Sequence, residues 1–235
     1  MNTKASHLTA AERISHVKPL ATLDDKVLGP HTAVIVIDVQ NDFCAEQGTM
    51  AKEGFDVTAA QAMAARLPPF LATARSAGAL VVFVRNVYST EQNYYLSDVW
   101  LEQAARARAG SYTEYPVCAS DSWEGDYYED VRPERADACV IKHRFNAFLN
   151  TDLDTILRAN GIRTLVMTGV ATNVCVESTA RDGFMRDYYV VFTSDGTAAY
   201  SRQDHDATLR NMNRFFGEVC TLAELETIWM SNEPR

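Results

Sequence analysis

The chain has 235 residues, 47% hydrophobic and 23% charged, with a net charge of −9 and a pI near 5.0. That length and balance suit one globular α/β domain, which can run to roughly 250 residues, and the acidity argues against a nucleic-acid or anionic-membrane partner, since both require a basic face. The sequence has no run of 18 apolar residues and no secretory signal in MNTKASHLTAAERISHV, and its five cysteines (positions 44, 118, 139, 175 and 220) fit neither a disulfide framework nor zinc spacing. A reduced, cytoplasmic protein is expected.

Residues 1–30 are polar and mixed and close on Gly29-Pro30. They read as an N-terminal extension outside the sheet, ahead of a domain over 31–235. TAVIVIDVQ is a continuous apolar run that ends in Asp38, the pattern of a central parallel strand buried on both faces. A helical stretch from Ala59 to Ala77 stops at Gly78, and ALVVFVRN is a second strand. Residues 88–132 mix Tyr, Trp, Asp and Ser with weak periodicity; excursions of that length in compact domains are often functional. ACVIKHRF is a third strand ending between Lys142 and Arg144. TDLDTILRANG reads as a short helix with Thr151 as cap, Asp152 and Asp154 at its positive end and Gly161 as stop. TLVMTGV is a fourth strand, VCVESTARDGFMRD a helix and YYVVFTSD a fifth strand. Residues 202–216 are helical, and EVCTL is a short sixth strand before a last helix.

This alternation predicts an α/β fold: a Rossmann-like, doubly wound parallel sheet of about six strands with helices on both faces. Ligands of such sheets bind beyond the carboxyl ends of the strands. Chemistry is therefore expected at Asp38, Asn86, Lys142 and the turn from Gly169 to Cys175.

In GVATNVCVESTARDG, Thr172 or Asn173 is a natural N-cap, which would place Cys175 in the first helical turn. The free amides and dipole there favour a thiolate and can cradle an oxyanion. The competing reading is a small core residue, because free cysteine is often buried. Cys139, inside a strand, and Cys220 read as core; Cys118 lies in the excursion; Cys44 is near the first strand end but not at a helix start. Among His7, His16, His31, His143 and His205, only His143 is near a strand end, and it points opposite to Lys142 if the strand persists. Asp38 is the alternative base. A carboxylate ending an apolar run is costly unless paired, and Lys142 is a candidate partner. A solvated strand tip is the ordinary alternative for either residue alone.

VIDVQNDF, the strand end at Lys142 and GVATNVCVES together resemble the isochorismatase-like cysteine hydrolases, over about 200 residues from roughly 30 to 230. The resemblance implies an Asp–Lys–Cys triad for amide and ureide hydrolysis, here Asp38, Lys142 and Cys175. It also implies a non-proline cis peptide between Val170 and Ala171, with the Ala171 and Cys175 amides forming an oxyanion hole. The metal-binding histidines of nicotinamidases have no counterpart in RNVYSTEQNYYLSDVW, so neither metal nor cofactor is expected. The isochorismatases proper cleave a vinyl ether without a nucleophilic cysteine, so a complete triad implies C–N cleavage.

GVATNVCVESTARDGF, with FNAFLNTDLDTILR before it, is most similar to ureidoacrylate amidohydrolases; biuret and N-carbamoylsarcosine amidohydrolases are the neighbouring alternatives. The sequence departs at Phe145, where the ureidoacrylate enzymes usually have tyrosine, and in residues 88–116. The expected activity is release of ammonia from a carbamoyl or ureido C–N bond of a small molecule. Candidate substrate contacts are Asn86, Tyr88, Phe145 and, for a substrate carboxylate, Arg144 or Arg202. Tyr94, Tyr95 and Trp100 form an aromatic patch suited to a lid or a subunit contact. The family resemblance implies a homo-oligomer, a dimer or tetramer. A catalytically silent binding module is the rival class, and a nucleotide binder is disfavoured because no GxGxxG follows the first strand.

Overall fold

The computed structural model describes residues 9, 14–15, 17–88, 91–107 and 117–231. Six strands alternate with helices along the chain: β1 (Thr32–Ile37), α1 (Thr58–Ala64), α2 (Leu67–Ser76), β2 (Leu80–Asn86), α3 (Asp98–Ala107), β3 (Ala138–Lys142), α4 (Leu153–Ala159), β4 (Thr164–Val170), α5 (Glu177–Met185), β5 (Tyr189–Ala198), α6 (Arg202–Phe215), β6 (Glu218–Cys220) and α7 (Leu222–Ser231). The strand order is β3-β2-β1-β4-β5-β6, and every pairing is parallel. Chain direction across the sheet reverses between β1 and β4, which opens a crevice at their carboxyl ends.

All six residues of β1 and all seven of β4 are buried. Alternate side chains feed two cores, as the strand period of two requires. Val34, Val36 and Val166 pack with Met63, Leu67 and Phe70 of α1 and α2 and with Leu225 and Trp229 of α7. Ile35, Ile37 and Met167 pack with Leu153 and Leu157 of α4, Ala180 of α5 and Met212 of α6. The end of the N-terminal stretch is fastened to the first core: Val27 is buried, and its carbonyl accepts a 2.7 Å hydrogen bond from Trp229 Nε1. Among the described residues no helix is long and apolar enough to cross a membrane.

The helix expected from Ala59 to Ala77 is two helices. Pro68 and Pro69 occupy the first turn of α2, where a missing N–H is tolerated, but α1 cannot run through them. Cys139, expected in the core, is exposed. It lies on the edge strand β3, which pairs only with β2; Val140 and Lys142 point inward while Cys139 and Ile141 face solvent. Thr151 stands two residues before α4, and its hydroxyl accepts from the Leu153 amide at 3.2 Å. The 88–132 excursion includes α3; residues 89–90 and 108–116 of it lie outside the described residues.

Gly169 sets how closely β4 can approach β1. Its φ is +105°, and a Cβ there would sit 2.0 Å from the Ile37 carbonyl oxygen. Positive φ and backbone overlap penalise the same substitution twice. Gly169→Ala is expected to destabilise the fold by at least about 3 kcal/mol, measurable as a lowered urea midpoint at unchanged slope.

Candidate active site

The crevice between β1 and β4 holds the chemistry-bearing residues. β1 ends because Asp38 turns into the left-handed region, with φ 53°. Its amide still continues the ladder, donating to the Val84 carbonyl at 2.9 Å. Gln40 then locks the exit: its side-chain nitrogen donates to the Asn86 and Gly125 carbonyls at 3.0 and 2.7 Å, and its oxygen accepts from the Asn86 amide at 2.7 Å. Buried Asp42 accepts from the Thr49 amide and hydroxyl at 2.9 and 2.6 Å and from the Cys118 amide. The excursion is thereby stitched to the end of β1.

Asp38 and Lys142 are fully buried, and Cys175 is 6% exposed. Lys142 Nζ is 2.8 Å from Asp38 Oδ2, 3.5 Å from Cys175 Sγ and 3.0 Å from the Arg144 carbonyl oxygen. An ammonium has three donors, and three acceptors surround it. Burial raises the Asp38 carboxyl above the ordinary carboxylate range, against the charge of Lys142 and hydrogen bonds from Lys142 and Cys175. Burial pulls Lys142 down, but Asp38 and Cys175 outweigh it and hold the ammonium above its usual value. Burial pushes the Cys175 thiol far up; Lys142 pulls it down, and the Asp38 charge pushes it up again. The expectation of a lowered thiol pKa is therefore corrected. Desolvation and the neighbouring carboxylate outweigh Lys142.

The local backbone also differs from the expected helix start. Val170–Ala171 is a cis peptide, and Thr172–Val176 forms a π-helical turn before α5. Neither Thr172 nor Asn173 is the N-cap: Ala171 precedes the turn and makes no side-chain cap bond. The Thr172 hydroxyl instead lies 2.9 Å from His205 Nδ1.

A cavity of about 410 Å³ opens over Asp38, Ala171 and Cys175. Phe43, Met50, Phe55 and Tyr200 line one part of it and Tyr88, Val117 and Phe145 another; Asn173, Ser201, Asp204 and Gln103 add polar groups. Tyr88, Trp100 and Phe145 pack ring on ring, with Trp100 and Phe145 centroids 4.7 Å apart. Asn86 is fully buried at the end of β2, opposite Lys142 in register, and its side-chain amide nitrogen and oxygen have no hydrogen-bond partner among the described residues. Arg144 does not line the cavity: it donates to the Tyr95 and His143 carbonyls at 3.1 and 2.6 Å and stacks 4.9 Å over Trp100. Arg202 does not line it either; its exposed guanidinium pairs with Asp206 one turn along α6. His143 stacks on Tyr95 and bonds the Val87 carbonyl at 2.7 Å.

Sequence reasoning missed Gln40, Asp42 and His205. Gln40 and Asp42 stand in VIDVQNDF as polar residues directly after a buried strand, which is a usable signal. His205 carries none, being 33 residues from Thr172.

Residues 32–224 match the isochorismatase domain family. Ureidoacrylate amidohydrolase RutB of Caulobacter vibrioides is 38% identical over 201 residues, 83% of this chain and 89% of that protein. The protein of the same name from Methylorubrum extorquens is 36% identical over 214 residues, covering 87% and 85%. Among solved structures, a cysteine hydrolase from Pseudomonas syringae pv. phaseolicola 1448A superposes with a TM-score of 0.75 at 29% identity, covering 91% of this chain and 98% of that one.

Removing one member of the buried ion pair leaves the other charge stranded. Lys142→Met is expected to destabilise the protein by about 3–5 kcal/mol. The double variant Asp38→Asn/Lys142→Met should recover at least about half of that loss, since coupled partners are non-additive. Urea unfolding of wild type, Asp38→Asn, Lys142→Met and the double variant reads the coupling, and simple additivity would show that the pair is not energetically linked.

Proposed function

The chain belongs to the isochorismatase family, and from that premise we propose that it is a cysteine-dependent amidohydrolase that releases ammonia from a carbamoyl or ureido C–N bond of a small molecule. Within that class we assign it a ureidoacrylate-type substrate. The observation that carries the reading is the contact among Asp38, Lys142 and Cys175 at three strand ends under one cavity. The 35–38% identity to ureidoacrylate amidohydrolases supports the bond type.

In the proposed reaction Asp38 takes the Cys175 proton as the sulfur attacks the carbonyl carbon. A raised carboxyl pKa suits this role, because a general base works best when its pKa approaches the operating pH. Lys142 remains charged and balances the negative charge passed between sulfur and carboxylate. The Ala171 and Cys175 amides receive the oxyanion. The C–N bond breaks, and the leaving nitrogen takes the proton from Asp38 and departs as ammonia. The S-carbamoyl intermediate is then cleaved by a water that gives its proton to Asp38; the proton returns to the thiol as the carbamate leaves. Asn86, Tyr88 and Phe145 are the substrate contacts in this proposal. Arg144 and Arg202 are not, since their guanidiniums are engaged elsewhere.

Phe145 in place of tyrosine favours a second substrate arm, biuret or an N-carbamoyl amino acid, because the cavity wall there offers a ring face without a hydroxyl. Ammonia release from ureidoacrylate, biuret, N-carbamoylsarcosine and nicotinamide separates these arms. Cys175→Ala is expected to lower kcat for the preferred substrate by at least about 10⁴-fold, the scale of losing a covalent nucleophile. Release that survives the substitution overturns the reading.

A further inference from the structure

We propose that His205 is a positioning residue for the turn that carries Cys175, acting as a neutral imidazole that accepts a hydrogen bond from the Thr172 hydroxyl. The inference rests on the reading of Cys175 as the nucleophile.

The geometry fixes the tautomer. His205 Nε2 lies 3.1 Å from the Ser194 carbonyl oxygen, and a carbonyl can only accept. The proton of a neutral ring is therefore on Nε2, and Nδ1 presents a lone pair. Thr172 Oγ1, 2.9 Å away on a fully buried residue, must then be the donor. Thr172 opens the π-helical turn and stands three residues before Cys175. On the other side, Ser201 and Asp204 of the α6 start line the cavity together with Asn173, Val174 and Cys175 of the turn. The imidazole thus joins β5, the first turns of α6 and the turn bearing the thiol at one point.

Other charged groups around the ring are few and mixed in sign. Asp206 and Arg202 flank it on α6, and Asp195 of β5 with Asp56 and Arg66 from either side of α1 line the crevice onto which it opens. Burial holds His205 below its ordinary value, with the Ser194 carbonyl and Asp206 opposing. The unfolded chain then binds the proton first. The stability this group contributes is present above about pH 6.5, the ordinary histidine value, and is lost as pH falls through the lower folded value. A proton gained at Nδ1 would reverse this hydrogen bond: the ring would donate, the buried Thr172 hydroxyl would have to accept, and its own proton would need a new acceptor.

Glutamine at 205 keeps one acceptor and one donor on neighbouring atoms but does not titrate; alanine keeps neither. The test compares wild type, His205→Gln, His205→Ala and Thr172→Val, all folded by far-UV circular dichroism. The readouts are ammonia release from the best substrate of the panel above and the rate of Cys175 alkylation by iodoacetamide. The proposal expects His205→Ala and Thr172→Val to lower kcat about tenfold, with KM within about twofold, and to change the alkylation rate at least about fivefold. His205→Gln should stay within about threefold of wild type in kcat, and should lack the added loss of stability below pH 6.5. Nitrogen-15 NMR of wild type at pH 7 should show His205 protonated on Nε2 alone. Wild-type kcat and alkylation rates in the Ala and Val variants, or a ring protonated on Nδ1, would overturn the inference. If no panel substrate is turned over, the alkylation rates and the tautomer decide. Failure of the proposed function has a different signature, ammonia release that survives Cys175→Ala, and leaves the tautomer as it is.

Discussion

The buried ion pair between Asp38 and Lys142 is the constraint around which the rest of the site is arranged. Neighbouring strands lie about 4.8 Å apart, so β1 and β3, separated by β2, are about 10 Å apart. Only a long side chain from the end of β3 can pass the end of β2 and reach Asp38. Lys142 does so and still has donors for Cys175 and the Arg144 carbonyl. Burying two charges costs several kcal/mol per ion, which mutual attraction repays only with good geometry and satisfied hydrogen bonds. A hydrophobic pair would stabilise the sheet edge at least as well. What the ion pair provides instead is a carboxylate and an ammonium held on one thiol.

That arrangement changes how the thiol can work. At an exposed helix start a cysteine would be partly ionised in advance. Here burial and the Asp38 charge raise the thiol pKa against the pull of the adjacent ammonium. The same burial that disfavours the thiolate also raises the basicity of Asp38. Proton transfer between the two therefore exchanges one buried anion for another beside a fixed cation, with little change in net local charge. In the proposed reaction such a site keeps its thiol protonated until a substrate carbonyl arrives.

Legibility in the sequence followed burial. TAVIVI and TLVMTGV are mostly apolar because they are buried on both faces, so the strands, their parallel pairing and the polar residues at their ends are legible directly. Asp38, Lys142 and Cys175 were visible as exceptions at the ends of such runs. What could not be read depended on strand order or long-range contact. Cys139 sits in a sequence like any other strand, and only the edge position of β3 exposes it. Thr172 has the chemistry of a cap, yet a histidine from α6 takes its hydroxyl. Arg144 and Arg202 were plausible carboxylate clamps by position; Trp100 with two backbone carbonyls holds one, and Asp206 holds the other.

The site divides into a floor and a wall of different origin. The floor comes from strand ends whose positions are set by the sheet: Asp38, Lys142, and the turn of Ala171 and Cys175. Part of the wall comes from the segments that follow β2 and β3, where Tyr88, Trp100 and Phe145 pack on one another. Gln40 and Asp42 anchor this wall to the floor through buried hydrogen bonds to Asn86, Gly125 and Cys118. Chemistry that depends on the floor tolerates little change, because Gly169 leaves no room and the ion pair no free donor. Under the proposed function, discrimination among substrates falls to the wall, whose rings stand apart from the strand ends, and Phe145 is the wall position to exchange first.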